Sequence, residues 1–93
     1  VTAIFGTHTH VATADERVLP KGTAYITDIG ATGPVKSVIG FNPAISVERA
    51  LTQMPLRNEV AEGAAALNGV VISADAETGK ARSIERYRTE SAV

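Results

Sequence analysis

A chain of 93 residues with 44% hydrophobic, 20% charged and 4% aromatic residues and a formal net charge of −1 makes one small domain whose core must come from Val, Ile, Ala and Leu. Its nine Lys and Arg are dispersed, which argues against the basic face that a nucleic-acid scaffold requires. The absence of cysteine excludes disulfides and thiolate metal sites, leaves nitrogen and oxygen donors for any metal, and fits a reducing, cytoplasmic compartment.

In chain order, Val1–Phe5 (VTAIF) is a short apolar run ended by Gly6, the pattern of a buried strand that stops at a turn. Residues 7 to 10 (THTH) follow at the strand's exit. Val11 to Leu19 has no clean period and reads as a loop with one helical turn, closed by the turn signal Pro20-Lys21-Gly22. Thr23 to Ile29 (TAYITDI) is β-branched and alternating, a second strand, and Gly30 to Pro34 breaks it. Asn42 followed by Pro43 supplies an N-cap and a proline in the first helical turn. Val47, Leu51 and Met54 then recur at helical spacing up to Pro55, so the helix is amphipathic and its apolar stripe needs a cover. Leu56 to Glu62 and Leu67 to Ala74 read as strands, Asp75 to Lys80 as a turn, and Ala81 to Tyr87 as a returning strand. Arg88 to Val93 should fray. No apolar run reaches the roughly 18 to 20 residues of a membrane span, and no signal-peptide pattern opens the chain, so the reading is a soluble protein. The first residue, Val1, enters directly into a strand pattern without a lead-in, which reads as a fragment.

The two histidines of the chain, His8 and His10, stand one residue apart. In an extended segment residues i and i+2 share a side, with roots ~6.6 Å apart at ~3.3 Å per residue. Two such rings hold one ion together or reach one ion each in a pair ~3.5 to 4 Å apart, and spacing alone does not choose. Either arrangement needs further donors, for which Asp15, Glu16 and Asp28 are the candidates within the chain. Thr7 and Thr9 would face the opposite way, steadying the backbone or supporting the imidazoles as ordinary strand-end threonines or as hydrogen-bond partners.

The block from Gly6 to Gly40, GTHTHVATADERVLPKGTAYITDIGATGPVKSVIG, resembles the C-terminal signature of the YmdB-type metallophosphoesterases. These are a bacterial branch of the calcineurin-like phosphoesterase superfamily with cyclic-nucleotide phosphodiesterase activity. The segments NPAISVERALTQMP, LRNEVAEG and LNGVVISADAETGKARSIER follow in the family's order, so the likeness spans nearly the whole chain.

The resemblance implies an α/β (α+β) fold, specifically the C-terminal part of a four-layer α/β sandwich: two strands with the histidine loop, one helix, then an antiparallel meander. Residues 1–93 would form a single C-terminal fragment of that domain. It implies two divalent ions, iron, manganese or magnesium, with His8 and His10 matching the last ligand motif and each going to a different ion. The earlier motifs of the family, an aspartate, an acidic bridging residue and an Asn-His pair that donates a proton, have no counterpart in these residues. Gly6 would let the backbone turn tightly into the site. Asp28 would orient an imidazole or cap the turn before Gly30. Ala31 departs from the methionine expected of relatives. The partners implied are a phosphodiester or cyclic-nucleotide substrate, the missing N-terminal part of the same domain and further copies in a homo-oligomer. On its own the fragment should be inactive. The alternatives are an independent metal- or partner-binding module and a self-associating remnant without catalysis.

Overall fold

The computed structural model describes residues 1–91 and has a mixed α/β architecture of two three-stranded sheets and one helix. In chain order the elements are β1 (Ala3–Phe5), β2 (Arg17–Val18), β3 (Ala24–Ile26), β4 (Gly33–Pro34), α1 (Pro43–Thr52), β5 (Ala65–Ala74) and β6 (Ala81–Glu90). Two compact units divide them, the first made of Val1–Ala31 with Leu67–Thr89 and the second of Thr32–Ala66 with the chain from Glu90 onward. Among the described residues no helix is long and apolar enough to cross a membrane.

The first unit is built on the sheet β1-β3-β2. β1 runs parallel to β3, pairing Ala3 with Ala24, Ile4 with Tyr25 and Phe5 with Ile26, while β2 pairs antiparallel with β3 through Arg17–Tyr25 and Val18–Ala24. A parallel pair needs a crossover of about a dozen residues or more, and here residues 6–23 supply it without a helix. The central strand β3 carries the core: Ala24 and Ile26 are fully buried on one face. On the other face the Arg17 guanidinium lies 5.4 Å from the centre of the Tyr25 ring, a cation–π contact.

In these residues β1 lies at the edge of its sheet, with Ile4 and Phe5 49% and 55% exposed. Two expectations for this unit are corrected. The stretch Val11 to Leu19 forms no helical turn. Its extended end pairs with β3 as β2, and the Leu19 and Thr23 backbones close the turn between them, Leu19 N–H donating to Thr23 O at 2.8 Å. β3 is also shorter than the expected Thr23 to Ile29, because Thr27 and Asp28 leave the ladder to bond the loops beside them.

In the second unit, the Asn42 side chain accepts hydrogen bonds from Ala44 N (3.0 Å) and Ile45 N (3.4 Å) and Pro43 occupies the first helical position, as the sequence leads one to expect. The helix stops at Thr52, earlier than the expected limit at Pro55. Gln53 turns left-handed (φ 55°) and returns its N–H to Arg49 O, and Met54, preceding a proline, is disfavoured in the helical region. Val47, Leu51 and Met54 are exposed, and the helix buries no residue.

The expected strand Leu56 to Glu62 is absent. Phe41 and Val60 form only an isolated bridge, with Asn42 N–H to Glu59 O and Ala61 N–H to Gly40 O on either side. A segment without a continuous neighbour has no ladder to join. Gly33–Pro34, expected as a break, pairs antiparallel with Ala66 and Ala65 as β4. Its place at the end of the order β4-β5-β6 is where proline's missing N–H is tolerated.

β5 starts two residues before the expected Leu67, and β6 runs to Glu90 instead of stopping at Tyr87. Ser91 N–H donates to Ala65 O and Ala65 N–H to Ser91 Oγ, so the fraying expected after Tyr87 does not occur up to Ser91. The last two residues of that expectation, Ala92 and Val93, lie outside the described residues. At the other end of the hairpin Asp75 Oδ1 accepts from Glu77 N and Thr78 N, Asp75 Oδ2 pairs with Arg82 at 2.8 Å, and Gly79 takes the positive φ that the turn needs.

Candidate metal centre

The histidine loop leaves β1 at Gly6, and Gly6 is demanded by a close approach. A Cβ at this position would stand 2.3 Å from Thr27 O, inside any tolerable contact with a backbone atom. The same approach lets Ile29 N–H donate to Gly6 O at 3.0 Å. Parallel pairing of β1 with β3 thus continues past the strand ends and holds the start of the loop against the exit of β3.

Asp28 follows that exit. It is the one buried charged residue among those described, 1% exposed, and its carboxylate is fully engaged. Oδ2 accepts from both Thr9 N–H and Thr9 Oγ1 at 2.7 Å, and Oδ1 accepts from Gly30 N–H at 2.8 Å. These donors favour the charged form and hold the carboxyl below its ordinary range, the Thr9 hydroxyl first, against the opposing effect of burial. The Asp28 backbone is tied as well: Thr13 N–H donates to Asp28 O at 3.0 Å, and Asp28 N–H donates to Thr13 Oγ1 at 3.0 Å. Asp28 therefore caps the turn into Gly30 and anchors the loop through Thr9. It makes no hydrogen bond to an imidazole.

Between these anchors His8 and His10 are both exposed, and no hydrogen bond to either imidazole is formed among the described residues. The chain bends through residues 8–11, and His10 adopts a left-handed φ of 61°. The relation between the two rings is thus set by a turn and not by the pleat of an extended segment. Thr9, between them, points its hydroxyl inward to Asp28 and accepts from Val11 N–H at 3.3 Å. It steadies the backbone. Thr7 is exposed and makes no such contact among the described residues.

The other candidate donors are committed elsewhere. Asp15 Oδ1 accepts from Thr13 Oγ1 (2.6 Å) and Thr27 N–H (3.1 Å), and Asp15 Oδ2 accepts from Thr27 Oγ1, which lowers its pKa from 3.8 to about 2, with the Thr13 hydroxyl as the leading cause. Glu16 pairs with Arg86 Nε at 2.6 Å. Among the described residues no group of three or more His, Asp or Glu side chains is assembled that could hold an ion. Two imidazoles free of hydrogen bonds fit as part of a nitrogen and oxygen donor set, and the rest of a shell of four to six ligands is not assembled among the described residues. Thr13, which ties Asp28 and Asp15 together, was not singled out from the sequence. Its position two residues before an aspartate (Thr13-Ala14-Asp15) is the local signal that could have found it.

The family model described as YmdB-like protein matches residues 1–87. The 2',3'-cyclic-nucleotide 2'-phosphodiesterase of Bacillus subtilis (strain 168) is 54% identical over 85 residues, which are 91% of this chain and 32% of that protein. A putative phosphatase/phosphodiesterase of Mycoplasma pneumoniae is 48% identical over 89 residues, 95% of this chain and again 32% of the relative. Among solved structures, a crystal structure described as a novel phosphatase from Mycoplasma pneumoniae superposes with a TM-score of 0.90 at 47% identity, covering 97% of this chain and 32% of its own. A hypothetical protein from Thermus thermophilus superposes with a TM-score of 0.86 at 39% identity, covering 96% and 34%. The chain spans about a third of the length of the relatives it matches.

Proposed function

The chain belongs to the YmdB-like protein family, and on that premise we propose that it is the C-terminal third of a metal-dependent phosphodiesterase to which it contributes two metal ligands, His8 and His10. The observation that carries the reading is the pair of exposed imidazoles, free of hydrogen bonds among the described residues, on a loop anchored from beneath by Asp28. Two divalent ions, iron, manganese or magnesium, when bound supply Lewis-acid stabilisation of charge on a phosphoryl group and a nucleophile at neutral pH. His8 and His10 hold one ion each. As neutral donors they add no negative charge to a site that must receive a phosphodiester. The remaining donors and the proton donor come from the portion of the enzyme that precedes these residues. By likeness to the Bacillus subtilis relative, the substrate is a 2',3'-cyclic nucleotide and the bond cleaved is that to the 2'-oxygen. The enzyme is cytoplasmic, in keeping with a chain without cysteine, and forms homo-oligomers.

The test is elemental analysis of the full-length protein together with hydrolysis of 2',3'-cyclic nucleotides and bis(p-nitrophenyl) phosphate. His8→Ala and His10→Ala should each lose metal and most turnover while keeping the wild-type circular dichroism spectrum. Full metal content and wild-type rates in either variant would sink the assignment.

A further inference from the structure

We propose that Asp28 is the positioning residue of the histidine loop, setting through Thr9 the backbone geometry in which His8 and His10 meet their ions without touching ion or substrate itself. The inference rests on the metal reading above and adds to it the device that holds the ligands.

Three ties hold the loop, and all converge on Asp28 and its neighbour. Gly6 O is held by Ile29 N–H at the start of the loop, Thr13 is bonded to the Asp28 backbone at its end, and the Asp28 carboxylate takes both donors of Thr9 at its centre. Thr9 lies between the two histidines, so fixing it fixes the chain on either side of both imidazoles. His10 also has a left-handed backbone, which is unfavourable for a residue with a Cβ and persists only where surrounding contacts determine it. Thr9 Oγ1 accepts from Val11 N–H while donating to Asp28, so the bonds bracket His10 on both sides. A carboxylate is required, not just a polar group. Both oxygens accept, and an amide would place an NH2 against either Thr9 N–H or Gly30 N–H.

The experiment uses the full-length protein and reads Mn²⁺ affinity, kcat at saturating Mn²⁺, and amide hydrogen exchange in the metal-free state. Asp28→Asn should weaken Mn²⁺ binding by roughly 10- to 100-fold, the range for groups that orient ligands, and recover most of its kcat once metal is saturating. Exchange at Thr9 and Gly30 should accelerate before any metal is added. Thr9→Ser, which keeps both donors, should behave as wild type, and Thr9→Val, which keeps only the N–H, should fall between. Wild-type Mn²⁺ affinity and exchange in Asp28→Asn would overturn the proposal. If that variant does not fold, unchanged affinity and exchange in Thr9→Val overturn it. Failure of the metal reading has a different signature: a His8→Ala protein that binds Mn²⁺ as tightly as wild type removes the premise, and the proposal falls with it.

Discussion

At the scale of single residues, the histidine loop depends on contacts that a one-atom change would break. Gly6→Ala puts a methyl group where Thr27 O already stands, 2.3 Å from its Cβ, and should cost about 1 to 3 kcal/mol, read as a lowered urea midpoint. His10 offers the opposite experiment. Because its φ is 61°, His10→Gly should be about 1 kcal/mol more stable than His10→Ala while both lose the same ligand. Thermal unfolding of the two variants side by side checks this. The aspartates set the acid limit. The pKa of Asp15 in the folded chain, about 2, lies below its ordinary value of 3.8, so its bonds to Thr13 and Thr27 contribute stability fully present above the ordinary value. That stability is lost as the pH falls from there through about 2. Asp28 is shifted in the same direction. Amide exchange at Thr9 and Thr27 should therefore stay slow from neutral pH down to the ordinary carboxylate range and rise only below it.

At the scale of elements, what was legible in the sequence is what is decided locally. The start of α1 is readable because Asn42 and Pro43 act on the N–H groups next to them, and Asn42→Ala should destabilise its unit by about 1 kcal/mol. Asp28 was readable by half: its bond to Gly30, two residues on, is a turn-capping pattern, whereas its bonds to Thr9 span 19 residues. Those exist only because β1 pairs with β3 in a particular parallel register, which no local pattern prints. Leu56 to Glu62 fails as a strand for the converse reason, since residues read as a strand cannot promise a neighbour. The helix raises a further expectation. Leu51 is 79% exposed, so Leu51→Gln in the 93-residue chain should shift the unfolding midpoint by less than the equivalent of about 0.5 kcal/mol.

At the scale of the whole molecule, the buried apolar residues described are Ala24, Ile26, Ala61, Ala66 and Ala81, four of them alanines, so little transfer energy is available to the 93 residues by themselves. The isolated chain should unfold at low denaturant or sediment as a concentration-dependent oligomer. It should also hydrolyse neither bis(p-nitrophenyl) phosphate nor cyclic nucleotides when supplied with Mn²⁺, because two imidazoles cannot fill the shells of two ions. Parent-like turnover from a monomeric 93-residue chain would contradict the expectation about the site. The clamp described around Asp28 has a consequence for kinetics. All of its bonds lie between Gly6 and Gly30, so the loop is shaped before an ion arrives and no segment need order itself around the metal. In the full-length protein, rapid mixing should then show an observed uptake rate that rises in proportion to Mn²⁺ concentration, whereas a loop that had to fold first would impose a ceiling independent of it.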